Sequence, residues 1–148
     1  MRAAARADNP SEQSDIRAVE GAELLAAGKM AEARTTLTAA YKGDVVTEML
    51  LARALSATGD DAGALEHWDA VISRFGYGLE GQFDVQMAPA ERAKVLERLG
   101  RTNEAIQALR ALTRRYPVRE GEPEPLALVE ARARLRRYEQ TPKPIEQR

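Results

Sequence analysis

Between residues 74 and 83 the chain reads RFGYGLEGQF, which sets Gly76, Gly78 and Gly81 in the order G-x-G-x-x-G. That spacing seats a pyrophosphate on a helix N-terminus, provided that a strand leads into it and a helix leads out. Here the segment follows LEHWDAVISRF, an apolar run of helical period, so the βαβ setting that gives the glycines their purpose is missing. It reads as a connection, not a nucleotide site. The connection is long and carries Phe75, Tyr77 and Phe83. Either these aromatics pack over a seam between neighbouring segments, or they form a loop that touches a partner.

Other chemistry is thinly supplied. The chain has one histidine and no cysteine, and none of the G-x-S-x-G, H-E-x-x-H or calcium-loop spacings occurs. His67 precedes Trp68, whose position falls on an apolar stripe, so His67 is expected to point outward and stay idle. Asp60-Asp61 reads as a helix cap and first turn rather than a carboxylate pair. Arg132, Arg134, Arg136 and Arg137 could contact phosphates, but Glu139 is nearby, aromatics are scarce, and a basic last turn also suits the helix dipole. The expectation is a protein that is not an enzyme and holds no cofactor and no metal.

Bulk composition agrees. A chain of 148 residues, 44% hydrophobic and 30% charged, is the size of one globular domain. The formal net charge is −1, so no global field draws it to nucleic acid or to an anionic membrane. Charge is uneven, however: residues 1–88 carry net −6 and residues 89–148 net +5. Without cysteine there are no disulfides or thiolate metal sites. The N-terminus lacks the apolar run of a signal peptide, and no run of about 18 apolar residues could span a bilayer. A cytoplasmic protein without membrane insertion is expected, with a periplasmic place or membership of a larger assembly left open.

The elements that would position any site emerge from internal repetition. GAELLAAGKMAEARTTLTAAY, ARALSATGDDAGALEHWDAVI and AKVLERLGRTNEAIQALRALT align on Gly28, Gly59 and Gly100. A small residue stands seven places before each glycine (Gly21, Ala52, Ala93) and a leucine four places before (Leu24, Leu55, Leu96). After it come alanine at five places (Ala33, Ala64, Ala105), a bulky apolar residue at nine (Leu37, Trp68, Leu109) and another apolar residue at twelve (Ala40, Val71, Leu112). Glycine ends each apolar-periodic run because it alone takes the left-handed turn of a helix stop without steric penalty. Small residues let paired helices approach, and the larger columns fill the space between them.

This pattern predicts helices over residues 10–27, 30–41, 44–57, 60–74, 88–99, 102–115 and 123–139. Asn9-Pro10-Ser11-Glu12 supplies a cap and a proline at the first helical position, and Asp60 and Thr102 are expected to cap the helices that follow their glycines. The fold is therefore expected to be all-α. The repeated columns over about 11–117 resemble the tetratricopeptide repeat family, whose signature runs small residue, aromatic or leucine, glycine, alanine, aromatic, alanine, proline. The glycine spacing of 31 and then 41 residues is uneven, leucine replaces most aromatics, and only the third segment ends in proline, at Pro117.

The resemblance implies a right-handed superhelical stack of antiparallel helix hairpins. Its repeats would cover about 14–43, 44–74 and 86–117, with a capping helix at 123–139, all in a single domain over 10–140. Residues 1–9 would be a flexible N-terminus and 141–148 a disordered tail. It also implies a scaffold or adaptor that binds a peptide or helix of a protein partner in a concave groove. That groove would be lined by Ala18, Ala22, Leu25, Met49, Arg53, Ala90, Lys94 and Arg98, an apolar floor with three cations. Relatives that clamp a chaperone's terminal carboxylate use lysine, asparagine and arginine where this chain has Ala18, Ala22, Leu50, Met87 and Glu91, so that role is disfavoured. Self-association through the groove or an end face, and weak phosphate or nucleic-acid binding by the arginine-rich last helix, are the alternatives.

Overall fold

A computed structural model describes residues 9–74 and 86–140. Phe75, Tyr77, Phe83 and the G-x-G-x-x-G segment lie outside the described residues, as do both chain ends. Among the described residues the helices are α1 (Pro10–Ala26), α2 (Met30–Ala40), α3 (Val45–Ala57), α4 (Asp61–Ser73), α5 (Ala88–Arg98), α6 (Thr102–Arg115) and α7 (Leu126–Gln140). No strand occurs among the described residues, and the fold is an all-α, tetratricopeptide-like arrangement of helical repeats. The chain divides into two compact units, Met1–Ala88 with α1 to α4 and Pro89–Arg148 with α5 to α7.

One turn is used three times. Gly28, Gly59 and Gly100 have φ of +75°, +82° and +72°, and each donates its amide to the carbonyl three residues back. The next residue reaches back five places: Lys29 N–H to Leu24 at 2.9 Å, Asp60 N–H to Leu55 at 2.9 Å and Arg101 N–H to Leu96 at 2.8 Å. These paired bonds satisfy the carbonyls that the end of a helix leaves orphaned. The leucine of the repeat thus contributes its side chain to the packing and its carbonyl to the turn.

Packing follows the same columns. Gly21, Ala52 and Ala93 are buried, as are the alanine column, the bulky column and the column after it. Leu55 and Leu96 are buried, while Leu24, in the first helix, is half-buried. In the first unit α1 lies along α2 and α3 along α4, with α2 against α3. Gly21 is in its place for lack of volume: a Cβ there would stand 2.5 Å from Cγ and Cδ2 of Leu37. In the second unit α7 packs on α6, turning Leu128 and Ala131 inward.

The caps amend the sequence reading in two places. Asn9 accepts from the Ser11 amide and Asp60 from the Gly63 amide, both at 3.0 Å, and Asp44 also caps α3 by accepting from the Thr47 amide at 2.8 Å. Thr102 is not a cap: it is the first residue of α6, and the cap position falls on Arg101, immediately after the glycine as Asp60 is. The last helix begins at Leu126, not at residue 123, with the Leu128 and Val129 amides donating to the Pro125 carbonyl. The ring of Pro125 disfavours helical backbone at Glu124, which delays the start.

Candidate functional site

The strongest polar constellation in the first unit surrounds Glu48, on the first turn of α3. Glu48 is in phase with Leu51, Ala52 and Leu55 on the inward stripe and is only 1% exposed. A carboxylate at such depth needs partners for its lone pairs and its charge. His67 of α4 places Nδ1 2.7 Å from Oε1. The Tyr41 hydroxyl donates to Oε2 at 2.7 Å, and Arg74 donates to the same oxygen at 3.2 Å. Arg74 also donates to the Gly43 carbonyl at 2.6 Å, and the Tyr41 and His67 rings meet edge to face with centroids 5.4 Å apart.

His67 is therefore not the outward, idle side chain that its place beside Trp68 suggests. It lies one turn from Ala64 and Val71 and leans on the Glu48 stripe across the helix pair. A histidine held by a buried carboxylate has the form of a general-base pair, but both oxygens of Glu48 are engaged by three side chains. The arrangement fastens the α2–α3 connection to both helices of the second segment. The Tyr41 hydroxyl is raised above its ordinary value, first by its bond to Glu48, then by burial and the Glu48 charge. No group of three or more His, Cys, Asp or Glu side chains able to hold a metal ion occurs among the described residues.

The groove residues divide between the two units. In the first, Ala18, Ala22 and Leu25 follow one line along α1 and are half-buried, whereas on α3 Met49 is buried and Arg53 half-buried. In the second, Ala90, Lys94 and Arg98 are spaced four apart on α5: Ala90 is buried, Lys94 half-buried and Arg98 exposed. Lys94 already meets Glu91 at 2.7 Å and Glu130 of α7 at 3.7 Å. Its charge is thus largely answered within the chain, and Met49 and Ala90 offer little surface.

The arginines of α7 are likewise not all available. Arg132 is bound by Glu124 at 2.5 Å and donates to the carbonyls of Thr113 and Tyr116. It staples the last helix to the end of α6. Arg134 pairs with Glu97 of α5 at 3.4 Å, and Arg136 and Arg137 are exposed. Glu97, Arg134, Arg137 and Tyr138 border a shallow cavity of about 210 Å³. Burial, then the hydrogen bond to Glu97, raises the Tyr138 hydroxyl.

Residues 91–117, from within α5 to the proline after α6, match the model of the tetratricopeptide repeat family. That segment is similar to a tetratricopeptide repeat. Its glycine turn at Gly100 and the columns Ala93, Leu96, Ala105, Leu109 and Leu112 recur in α1–α2 and α3–α4 with the same turn geometry. No curated protein and no solved structure matches the chain. No described helix is long and apolar enough to cross a membrane.

The sequence reading missed the Glu48 cluster, although a signal was present. Glu48 stands at i relative to apolar residues at i+3, i+4 and i+7, a phase that puts a carboxylate on the buried face. Arg34 was missed for a different reason. It reaches Asp60 at 2.8 Å and Thr58 at 3.4 Å, from α2 to the next turn, across a separation that periodicity does not register.

Proposed function

We propose that this protein is a protein-interaction module, a scaffold or adaptor without catalysis of its own. Tetratricopeptide repeats in general mediate protein–protein interaction and are not catalytic. In this reading α1–α2 and α3–α4 are two further repeats of that family, and α1 to α7 form a single domain over 10–140. The partner is a peptide or helix, and its proposed contacts are Ala18, Ala22, Leu25 and Arg53 over Met49 in the first unit, and Arg98 over Ala90 with Lys94 as a minor contact in the second. Phe75, Tyr77 and Phe83, which lie outside the described residues, are a second proposed contact. The observation that carries the reading is the triple glycine turn with its size-selected columns, one copy of which matches the family. What recurs is volume, not reactivity.

Extended or helical peptides with apolar anchors and a carboxylate suit such a line of side chains. Arg53→Glu combined with Arg98→Glu is expected to weaken capture of the partner in a pull-down at least about tenfold, a change of 1.4 kcal/mol. Helical circular dichroism should stay unchanged. Undiminished capture by the folded double variant rejects the groove.

A further inference from the structure

One atom of the Glu48 cluster is not used by the packing that the cluster serves. As a carboxylate, Glu48 can only accept, so the 2.7 Å contact with His67 places a proton on Nδ1. An imidazole with a single proton then keeps its lone pair on Nε2, on the ring edge turned away from Glu48. The His67 side chain is 22% exposed and that of Glu48 2%, so the ring spans from a buried carboxylate to solvent. The Tyr41 ring, edge to face with it, restrains its plane.

A metal ion on Nε2 would need further ligands, and no group of three or more His, Cys, Asp or Glu side chains able to hold one occurs among the described residues. A covalent electrophile needs the one nitrogen alone. As Nε2 forms a bond, positive charge develops on the ring, and the Glu48 carboxylate on Nδ1–H stabilises it in surroundings of low dielectric. Arg74 donates to the other oxygen of the same carboxylate at 3.2 Å and its side chain is one-third exposed, so a cation stands next to the ring. A nucleophilic nitrogen beside a guanidinium suits a phosphoryl group, whose oxygens carry the negative charge.

We infer that Nε2 of His67 is a phosphoryl-acceptor site, charged from an acyl phosphate or a phosphoramidate. The Nε2 lone pair forms the new bond to phosphorus. In an acyl phosphate the P–O bond breaks and its electron pair leaves with the carboxylate. In phosphoramidate the P–N bond breaks and the nitrogen, already bearing three protons, leaves with the pair as ammonia. Nδ1 keeps its proton throughout, so the step calls for no added base. Glu48 acts as a positioning residue, all the participants lie in the first unit, and the inference does not rest on the groove.

The test treats the whole chain with phosphoramidate and identifies the modified nitrogen by phosphorus NMR. His67 is the only histidine, so the signal has a single source. An acid-labile phosphoryl group is expected on Nε2, and none in His67→Gln. Uptake should be about tenfold faster in the folded chain than in the same chain unfolded in urea, where the ring has lost its carboxylate. Glu48→Gln, provided that its helical circular dichroism is kept, should slow uptake by a similar factor and spread the group over both ring nitrogens. Should that variant lose its fold, the nitrogen assignment and the urea comparison decide the matter. A group carried on Nδ1, a folded chain that reacts no faster than the unfolded one, or a folded Glu48→Gln that reacts unchanged overturns the inference.

Discussion

At the scale of single residues, the least expected feature is a carboxylate placed where a core side chain belongs. Glu48 is tolerated because three donors from different parts of the chain converge on it, and removing a partner from a buried charge costs more than the contact itself supplies. Tyr41 gives this arrangement a pH signature. Its hydroxyl value is raised in the fold, by the Glu48 bond first, so the neutral phenol is the form that folding favours. The contribution is fully present below the ordinary value of 10.0 and is lost as pH rises through the higher, folded one. Unfolding by urea at a series of alkaline pH values should therefore show falling stability, and Tyr41→Phe should flatten part of that fall. Tyr138, also raised, contributes in the same direction. An identical alkaline slope in Tyr41→Phe would contradict the role given to the hydroxyl.

At the scale of helices, the sequence was legible wherever one residue type had one cause. Glycines at left-handed turns, alanines at close approaches and leucines in the space between placed most helix ends within a residue or so, since local sterics settle each choice. The reading failed where a side chain answers to distant partners: His67 drawn in by Glu48, Arg132 by the Thr113 and Tyr116 carbonyls, Arg34 by Asp60. No helical period encodes those meetings. Gly21 tests the sterics directly, since it sits inside α1 with the Leu37 side chain where a methyl group would go. Alanine there gains about 1 kcal/mol of helix propensity but forces a displacement of buried Leu37 costing about 1–3 kcal/mol. Gly21→Ala should thus lower stability by about 1 kcal/mol on balance, read from the urea midpoint. A more stable variant would mean that Leu37 yields freely.

At the scale of the whole molecule, the question is whether the two compact units behave as one domain. Trp68, the only tryptophan, is buried in the first unit and reports on it alone. Leu96 is fully buried in the second, and Leu96→Ala should cost about 2–5 kcal/mol. If residues 10–140 form a single cooperative domain, as proposed, that loss appears in Trp68 fluorescence as fully as in far-ultraviolet circular dichroism. An unmoved tryptophan transition would divide the chain into two folding bodies. The three glycine turns carry a last implication. Beyond the adjoining residues no heavy atom lies within 4 Å of where a Cβ on Gly28, Gly59 or Gly100 would project, so these corners have room and exclude other residues by backbone handedness. A mirror-image alanine would sit there at ease, and the bends on which the repeats depend are selected for chirality rather than for size.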